Sequence, residues 1–245
     1  MHPQAISSLA RSVQPLVFET DLPEFPYTIW GTTFLVGYKR RAFILTTRHT
    51  LRPESIGPLC IFPSDTSRRM LPLKDVFFAP EADVEDDFAD LAVIEIDQAR
   101  LQHPEFAEAT LIDLEKAGGD WHSARDDAAF VVMGYPEEHS TIDYENGEMT
   151  TGRIVLQGRY QKESALPYLH ELKIADGHGL STFSGFSGGP VFSWHEQPEG
   201  AARVCLCGMA IRGTVTSSII HFLDRSVLLD ALELKTGRPP ATAHS

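Results

Sequence analysis

A hydroxyl set among glycines is the first feature of this chain that could do covalent chemistry. Residues 184–192 read SGFSGGPVF, which places Ser187 in a G-F-S-G-G turn. A serine hydroxyl is a weak nucleophile until a base removes its proton. That base is usually a histidine held by a carboxylate, and the oxyanion that forms needs preorganised donors. Glycines beside the serine let backbone N–H groups approach that oxyanion without side chains in the way. A tight turn without chemistry would read the same, so Ser187 needs partners elsewhere. Two lie upstream. His49 stands in FILTTRHTL at the end of an apolar run, and Asp90 opens DLAVIEI. Each sits where a strand hands a side chain to a loop, on a scaffold that can fix it. Asp83, Asp86 and Asp87 compete with Asp90, but an acidic run reads as a solvated loop. Asp90 is preferred because the apolar run follows it directly, with Asp87 second. Ser184 lacks the Gly-Gly-Pro that follows Ser187, and His178 and His221 read as surface or core histidines.

The elements that must position these residues are mostly strands. TIWGTTFLVGY and RAFILTT flank a charged turn at Lys39–Arg41. DLAVIEI, AAFVVMGYP, YLHELKIAD, GPVFSWH and VCLCGMAIRG are short, β-branched or alternating runs. GEMTTGRIVLQGRY reads as a turn at Asn146–Gly147 followed by strands, and EQPEG as a hairpin loop. Frequent turns between short strands predict an all-β barrel or sandwich. DRSVLLDALELK breaks the pattern: Val227, Leu228, Ala231 and Leu232 recur at helical spacing behind Asp224, a fair N-cap. A C-terminal helix is therefore expected, then a frayed tail. The polar stretch near 113–127 reads as a connector between two β units.

Composition narrows the function classes. The 245 residues carry 21 Lys and Arg against 34 Asp and Glu, a net charge of −13, which argues against nucleic-acid and anionic-membrane partners. No apolar run has the length of a spanning helix, and the N-terminus has no basic region leading into an apolar one, so a cytoplasmic location is expected. Three cysteines fit. Cys205 and Cys207 would share one face of a strand, a poor disulfide geometry, and with Cys60 they read as small core residues rather than metal ligands. No metal or other cofactor is expected.

Chain order separates two hydrolase architectures. The α/β-hydrolase order is serine, then acid, then histidine. Downstream of Ser187 that would require Asp224 or Asp230 and then His244 in the tail, and the alternation of strands with helices is missing. The order here is His49, Asp90, Ser187. GTTFLVGYKRRAFILTTRHTL resembles the first-barrel segment of trypsin-like serine proteases that ends at their histidine. ADLAVIEI is similar to their aspartate strand, VVMGYP to a strand-to-turn segment of their second barrel, GFSGGPVF to their serine turn, and CGMAIRG to the strand lining their substrate cleft. The matched segments run from about Gly31 to Gly213. Disulfide-free bacterial trypsin-like peptidases are closer than secreted digestive enzymes.

The resemblance implies a single domain over 1–245, built as two six-stranded antiparallel β-barrels with a C-terminal α-helix. The barrels would span about 16–112 and 128–223, the connector 113–127 and the helix 224–236. It implies Ser187 as nucleophile, His49 as general base and acid, and Asp90 as the orienting carboxylate. It implies an oxyanion hole from the N–H groups of Gly185 and Ser187. Ile211, Arg212 and Gly213 would pair with an extended polypeptide substrate. Ser181 would fall near the base of an uncharged specificity pocket. Three positions depart from the pattern. Phe186 replaces the aspartate that pairs with a new N-terminus in digestive enzymes, so no cleavage-driven activation of that type is expected. Arg48 and Arg212 replace a small and an aromatic residue at the cleft. The expected activity is that of a serine endopeptidase, with a regulatory protein partner as its switch. The alternative is a peptide-binding module that retains the cleft.

Overall fold

The structure is a computed structural model that describes residues 3–51, 59–78, 90–146, 148–166, 168–196 and 202–237. Asp83, Asp86, Asp87, Gly147, most of the EQPEG loop and His244 lie outside them.

The chain opens with helix α1 (Pro3–Ala10) and strands β1 (Val13–Glu19), β2 (Tyr27–Tyr38) and β3 (Arg41–Thr46). β4 (Leu59–Cys60), β5 (Leu73–Phe78), β6 (Ala92–Ile96), the short helix α2 (Gln98–Leu101) and β7 (Ile112–Asp113) follow. These strands form one seven-stranded sheet in the order β4-β1-β2-β3-β6-β5, with β7 parallel to β2. The second half contains β8 (Ala129–Gly134), the hairpin β9 (Ser140–Asp143) and β10 (Glu148–Thr151), then β11 (Ile154–Glu163) and β12 (Leu169–Ile174). It ends with β13 (Pro190–Glu196), β14 (Ala202–Thr214), β15 (Ile219–Asp224) and helix α3 (Arg225–Thr236). Six of these strands close into a barrel, β11-β12-β15-β14-β13-β8.

The protein is thus mostly β, with one closed barrel, one curled half-barrel sheet and a C-terminal helix. Of the two closed barrels expected, only the second is seen among the described residues. The first sheet stays open between β4 and β5, and the segments adjoining those edges, 52–58 and 79–89, are not described.

Strand alternation explains how the halves share a core. Side chains two apart on a strand point to the same face. Leu35, Ala42, Ile44, Ala92 and Ile94 fill the concave side of the first sheet. Their neighbours Phe34, Val36, Phe43, Leu45 and Val93 face the other way, into a layer shared with Val131, Met133 and Leu206 of the barrel and with α3. Phe130, Val132, Leu172, Val191, Cys205 and Cys207 fill the barrel interior. All three cysteines are buried free thiols. Trp121, from the segment joining sheet to barrel, also enters that interior and is 2% exposed.

Two local signals fold as the sequence predicts. Lys39 and Arg40 take φ of 47° and 61° between paired Tyr38 and Arg41, the tight two-residue hairpin whose twist suits flanking strands. In α3, the Asp224 carboxylate accepts from Ser226 N–H, Gly237 closes the helix at φ 81°, and Val227, Leu228, Ala231 and Leu232 are the buried residues. Helix α1 is not anticipated by the sequence reading; it packs Ile6, Leu9 and Ala10 on the shared core. Among the described residues, no helix is long and apolar enough to cross a membrane.

Charges dock α3 on the first sheet. Glu233 meets Lys39 and the Tyr38 hydroxyl, and Lys235 meets Asp75. Glu95, buried on β6, faces Arg41 at 2.7 Å, Lys74 at 3.1 Å and Lys235 at 3.9 Å. Burial opposes ionisation of Glu95, but the hydrogen bonds from Arg41 and Lys74 outweigh it and hold its carboxyl below the usual range. A depressed native value means that this stabilisation is present above the unfolded pKa, about 4.3, and is lost as pH falls through the lower native value. Glu95→Gln should cost about 1–3 kcal/mol at neutral pH. It should also flatten the loss of stability below about pH 4.5. Urea unfolding across a pH series measures both.

Candidate functional site

His49 and Asp90 meet because β3 and β6 are neighbours in register, with Thr46 opposite Ala92. Beyond Thr46 the chain makes a 3-10 turn, His49–Leu51, that buries Thr50 and Leu51 and leaves His49 outside. One carboxylate then fixes the whole residue. Asp90 Oδ1 accepts from the His49 backbone N–H at 2.9 Å, and Oδ2 lies 2.6 Å from ring Nδ1. Asp90 is itself tied to the turn by Arg48 N–H, which donates to its carbonyl at 3.2 Å. An ionised carboxylate only accepts, so with Asp90 ionised Nδ1 carries the proton and Nε2 of a neutral ring keeps its lone pair. The imidazole side chain is 48% exposed and the carboxylate 20%, so the pair borders solvent.

The Ser187 turn is built differently, from close backbone packing. Gly185 and Gly188 take φ of 93° and 87°. A Cβ on Gly185 would stand 2.2 Å from the Tyr135 carbonyl, and one on Gly188 2.0 Å from the Thr32 carbonyl. Only glycine fits either position. Phe186 points into the barrel interior, 2% exposed, edge-on to Phe183 with ring centroids 6.2 Å apart. An apolar side chain therefore anchors the turn.

Thr32 on β2 joins this turn to the first sheet. Its hydroxyl donates to Gly185 O at 2.5 Å and accepts from Tyr135 N–H at 2.9 Å. Its backbone N–H donates to Ser187 O at 3.0 Å, and its carbonyl accepts from Thr46 Oγ1 at 2.9 Å. Phe186 N–H donates to Phe183 O at 3.2 Å, so both ends of the Gly185–Phe186 peptide are held. Ser184 O accepts from Glu137 N–H, and Phe186 O from Gly189 N–H. In trans peptides the following N–H groups, those of Gly185 and Ser187, point the opposite way. Neither has an acceptor among the described residues.

His49, Asp90 and Ser187 line one cleft of about 430 Å³, together with Thr182, Phe183, Ser184, Ile211, Arg212 and Gly213. Pairing of β14 with β13 ends at Met209 opposite Pro190. The serine turn then bonds to Ala210 through Gly188 and Gly189. Past that point β14 continues to Thr214, laddered to β15 on its other side. Its register slips between Ala210 and Arg212, so Ile211 is the extra residue of a bulge, the kind of kink that re-aims groups beside a site. The Ile211 carbonyl accepts the Ser187 hydroxyl at 3.0 Å. Among the described residues, Ser187 and His49 share the cleft but no hydrogen bond.

Ser181 stands apart from the position expected of it. It is exposed and absent from the cleft lining, with its N–H donating to Glu138 at 3.1 Å and its hydroxyl bonded to the same carboxylate. The hydroxyl and N–H of Ser181 hold the Glu138 carboxyl below its usual range. Thr182, Phe183 and Ser184 line the cleft instead. Arg212 lines it too, while Arg48 lies over the Phe78 ring at 5.2 Å. Sequence reading missed Thr32 and Tyr135, the residues that seat the serine turn; a threonine in a β-branched strand carries no local sign of a partner in another sheet.

In sequence comparison, no protein-family model matches the chain and no curated protein matches it significantly. Geometry alone speaks for what the cleft can do: a carboxylate-held imidazole, a hydroxyl and two backbone N–H groups without acceptors are the parts of nucleophilic acyl transfer.

Thr32→Val keeps shape but leaves the buried Gly185 carbonyl and Tyr135 N–H unpaired. It should destabilise the fold by about 2–5 kcal/mol. Chemical denaturation of the variant against the parent chain checks this.

Proposed function

We propose that this protein is a serine endopeptidase of the trypsin-like kind. One observation carries the proposal: His49, Asp90 and Ser187, from three distant segments, line the same cleft, with the imidazole already held by the carboxylate. In this reading His49 Nε2 takes the proton from Ser187 Oγ as the oxygen attacks a peptide carbonyl. Asp90 keeps the ring oriented and stabilises the imidazolium. The N–H groups of Gly185 and Ser187 receive the oxyanion. His49 then protonates the leaving amine, and water repeats the attack on the acyl-enzyme. The substrate lies as an added strand along Ile211–Gly213. The reading carries a two-barrel architecture, in which the first sheet closes through its β4 and β5 edges.

Ser187→Ala should abolish labelling by a fluorophosphonate probe and lower peptide turnover by about 10⁴–10⁶-fold, with the melting temperature unchanged. Proteome-wide cleavage profiling of the parent chain against Ser187→Ala measures the loss and reports the preferred side chain before the cut. Equal cleavage by both proteins would refute the assignment.

The hydrogen bond from Ser187 Oγ to the Ile211 carbonyl favours a second reading, a resting cleft that binds peptides and cuts only when a partner protein re-aims the serine. On this reading the isolated protein resists the probe and becomes labelled at Ser187 once cell extract is added. Labelling of the isolated protein at full rate removes the need for a partner.

A further inference from the structure

Where β15 gives way to α3, beside the aromatic core of the barrel, three residues converge that the proposed chemistry does not use. His122 comes from the 3-10 turn His122–Ala124 in the segment joining sheet to barrel. His170 lies on β12, and Asp224 ends β15 and caps α3. Nε2 of His122 is 3.0 Å from Asp224 Oδ2, and Nε2 of His170 is 3.4 Å from the same oxygen. One ligating atom from each residue lies within 4.8 Å of the others.

The two carboxylate oxygens have different fates. Oδ1 accepts from Ser226 N–H at 2.7 Å and from the Ser226 hydroxyl at 2.6 Å. Oδ2 is buried and has no hydrogen bond. The His122 and His170 nitrogens stand 3.0 and 3.4 Å from it, as ion-pair neighbours without a hydrogen bond of normal geometry. A buried carboxylate oxygen without a directed partner is costly, and two imidazolium rings converging on it would set like charges side by side. A single cation accepting lone pairs from both rings and from Oδ2 satisfies all three at once.

We infer that His122, His170 and Asp224 form a binding site for one zinc ion. Two imidazoles and one carboxylate are a zinc ligand set with the fourth position left to water, and bonds of about 2.0–2.2 Å separate tetrahedral ligand atoms by about 3.3 Å. The separations of 3.0 and 3.4 Å from Oδ2 bracket that value, and the ligand atoms of the two histidines lie within 4.8 Å of each other. Magnesium and calcium need six or more oxygen ligands, which two imidazoles do not supply. The outer contacts fit as well. Tyr160 OH lies 3.4 Å from His170 Nδ1, the second-nitrogen partner that holds a ligating ring in place, and Trp121 stacks on His122 with centroids 3.9 Å apart. His122 is about half exposed, which gives the ion a way in from solvent. The ion would staple the joining segment to a barrel strand and to the start of α3. The residues come from three separate stretches of chain, so no sequence spacing announces them.

The test uses the full chain, stripped with EDTA, dialysed, and titrated with Zn²⁺ against a chromophoric chelator. One equivalent should bind and raise the melting temperature. His122→Ala, at an exposed position, and Asp224→Asn, which retains the helix cap, should each weaken binding by about 100-fold or more while remaining folded. His49→Ala, at the other histidine–carboxylate pair, should bind as the parent does. Cobalt substitution should give a tetrahedral visible spectrum without thiolate charge-transfer bands. Absence of stoichiometric binding, or unchanged affinity in His122→Ala, overturns the site whatever the outcome at Ser187.

Discussion

Thr32 is the residue on which the arrangement of the cleft depends. The carboxylate–imidazole pair belongs to the first sheet and the serine to the barrel turn, so their alignment is only as good as the join between them. At the serine turn that join runs through one fully buried side chain and its own backbone. The hydroxyl holds the Gly185 carbonyl, the N–H holds the Ser187 carbonyl, and Thr46 holds Thr32 in turn. Hydrogen bonds of this kind are directional where apolar packing is not. The shared core brings the two halves together; the Thr32 bonds decide where the serine sits within them.

The same constraint explains the glycines and Phe186 as one construction. Drawing a turn this close to β2 and to the strand end at Tyr135 leaves no room for Cβ atoms at Gly185 and Gly188. A turn rich in glycine has much conformational freedom to lose, and something must hold it. Phe186 does so from below by burial in the barrel, and Thr32 from the side. A buried ion pair could hold such a turn only while both charges were present, which would make it switchable. An apolar anchor has no such dependence. On the peptidase reading, the N–H groups of Gly185 and Ser187 are aimed by the fold itself, and the remaining freedom is at the serine side chain, whose hydroxyl is turned to Ile211.

What the sequence made legible follows the range of the forces involved. The strands around 28–46, 91–96 and 129–134, the Lys39–Arg40 hairpin and α3 with its four core residues are written in local periodicity and turn chemistry. His49, Asp90 and Ser187 were readable because each stands in its own recognisable local setting, and the structure brings all three to one cleft. What was not readable depends on register and on contacts across the chain. Six residues separate Ser181 from Ser187, and the intervening turn carries Ser181 out to Glu138, a placement that sequence distance alone does not reveal. A second closed barrel is expected, but among the described residues the first sheet is open between its edge strands β4 and β5, whose adjoining segments have no strong strand pattern. Helix α1 has few polar-face or cap signals, and its apolar residues gain meaning only against the shared core.

Two histidine–carboxylate groupings in one small protein show how little residue type alone decides. At the cleft, Asp90 spends both oxygens on His49, one on the backbone and one on a well-aimed ring nitrogen, beside solvent. With Asp90 ionised, that geometry keeps a proton on Nδ1 and leaves the Nε2 lone pair free, which on the peptidase reading suits repeated proton transfer. At the start of α3, Asp224 spends one oxygen on the helix cap and leaves the other buried, 3.0 and 3.4 Å from two imidazole nitrogens and without a hydrogen bond of normal geometry. On the zinc inference, that geometry offers a cation three donors. Burial sharpens the difference: water can stand in for a missing partner at His49, but not at His170, which is 2% exposed. On these two readings, hydrogen-bond geometry and access to water, rather than the presence of a histidine beside an acid, separate a group for moving protons from one for holding an ion.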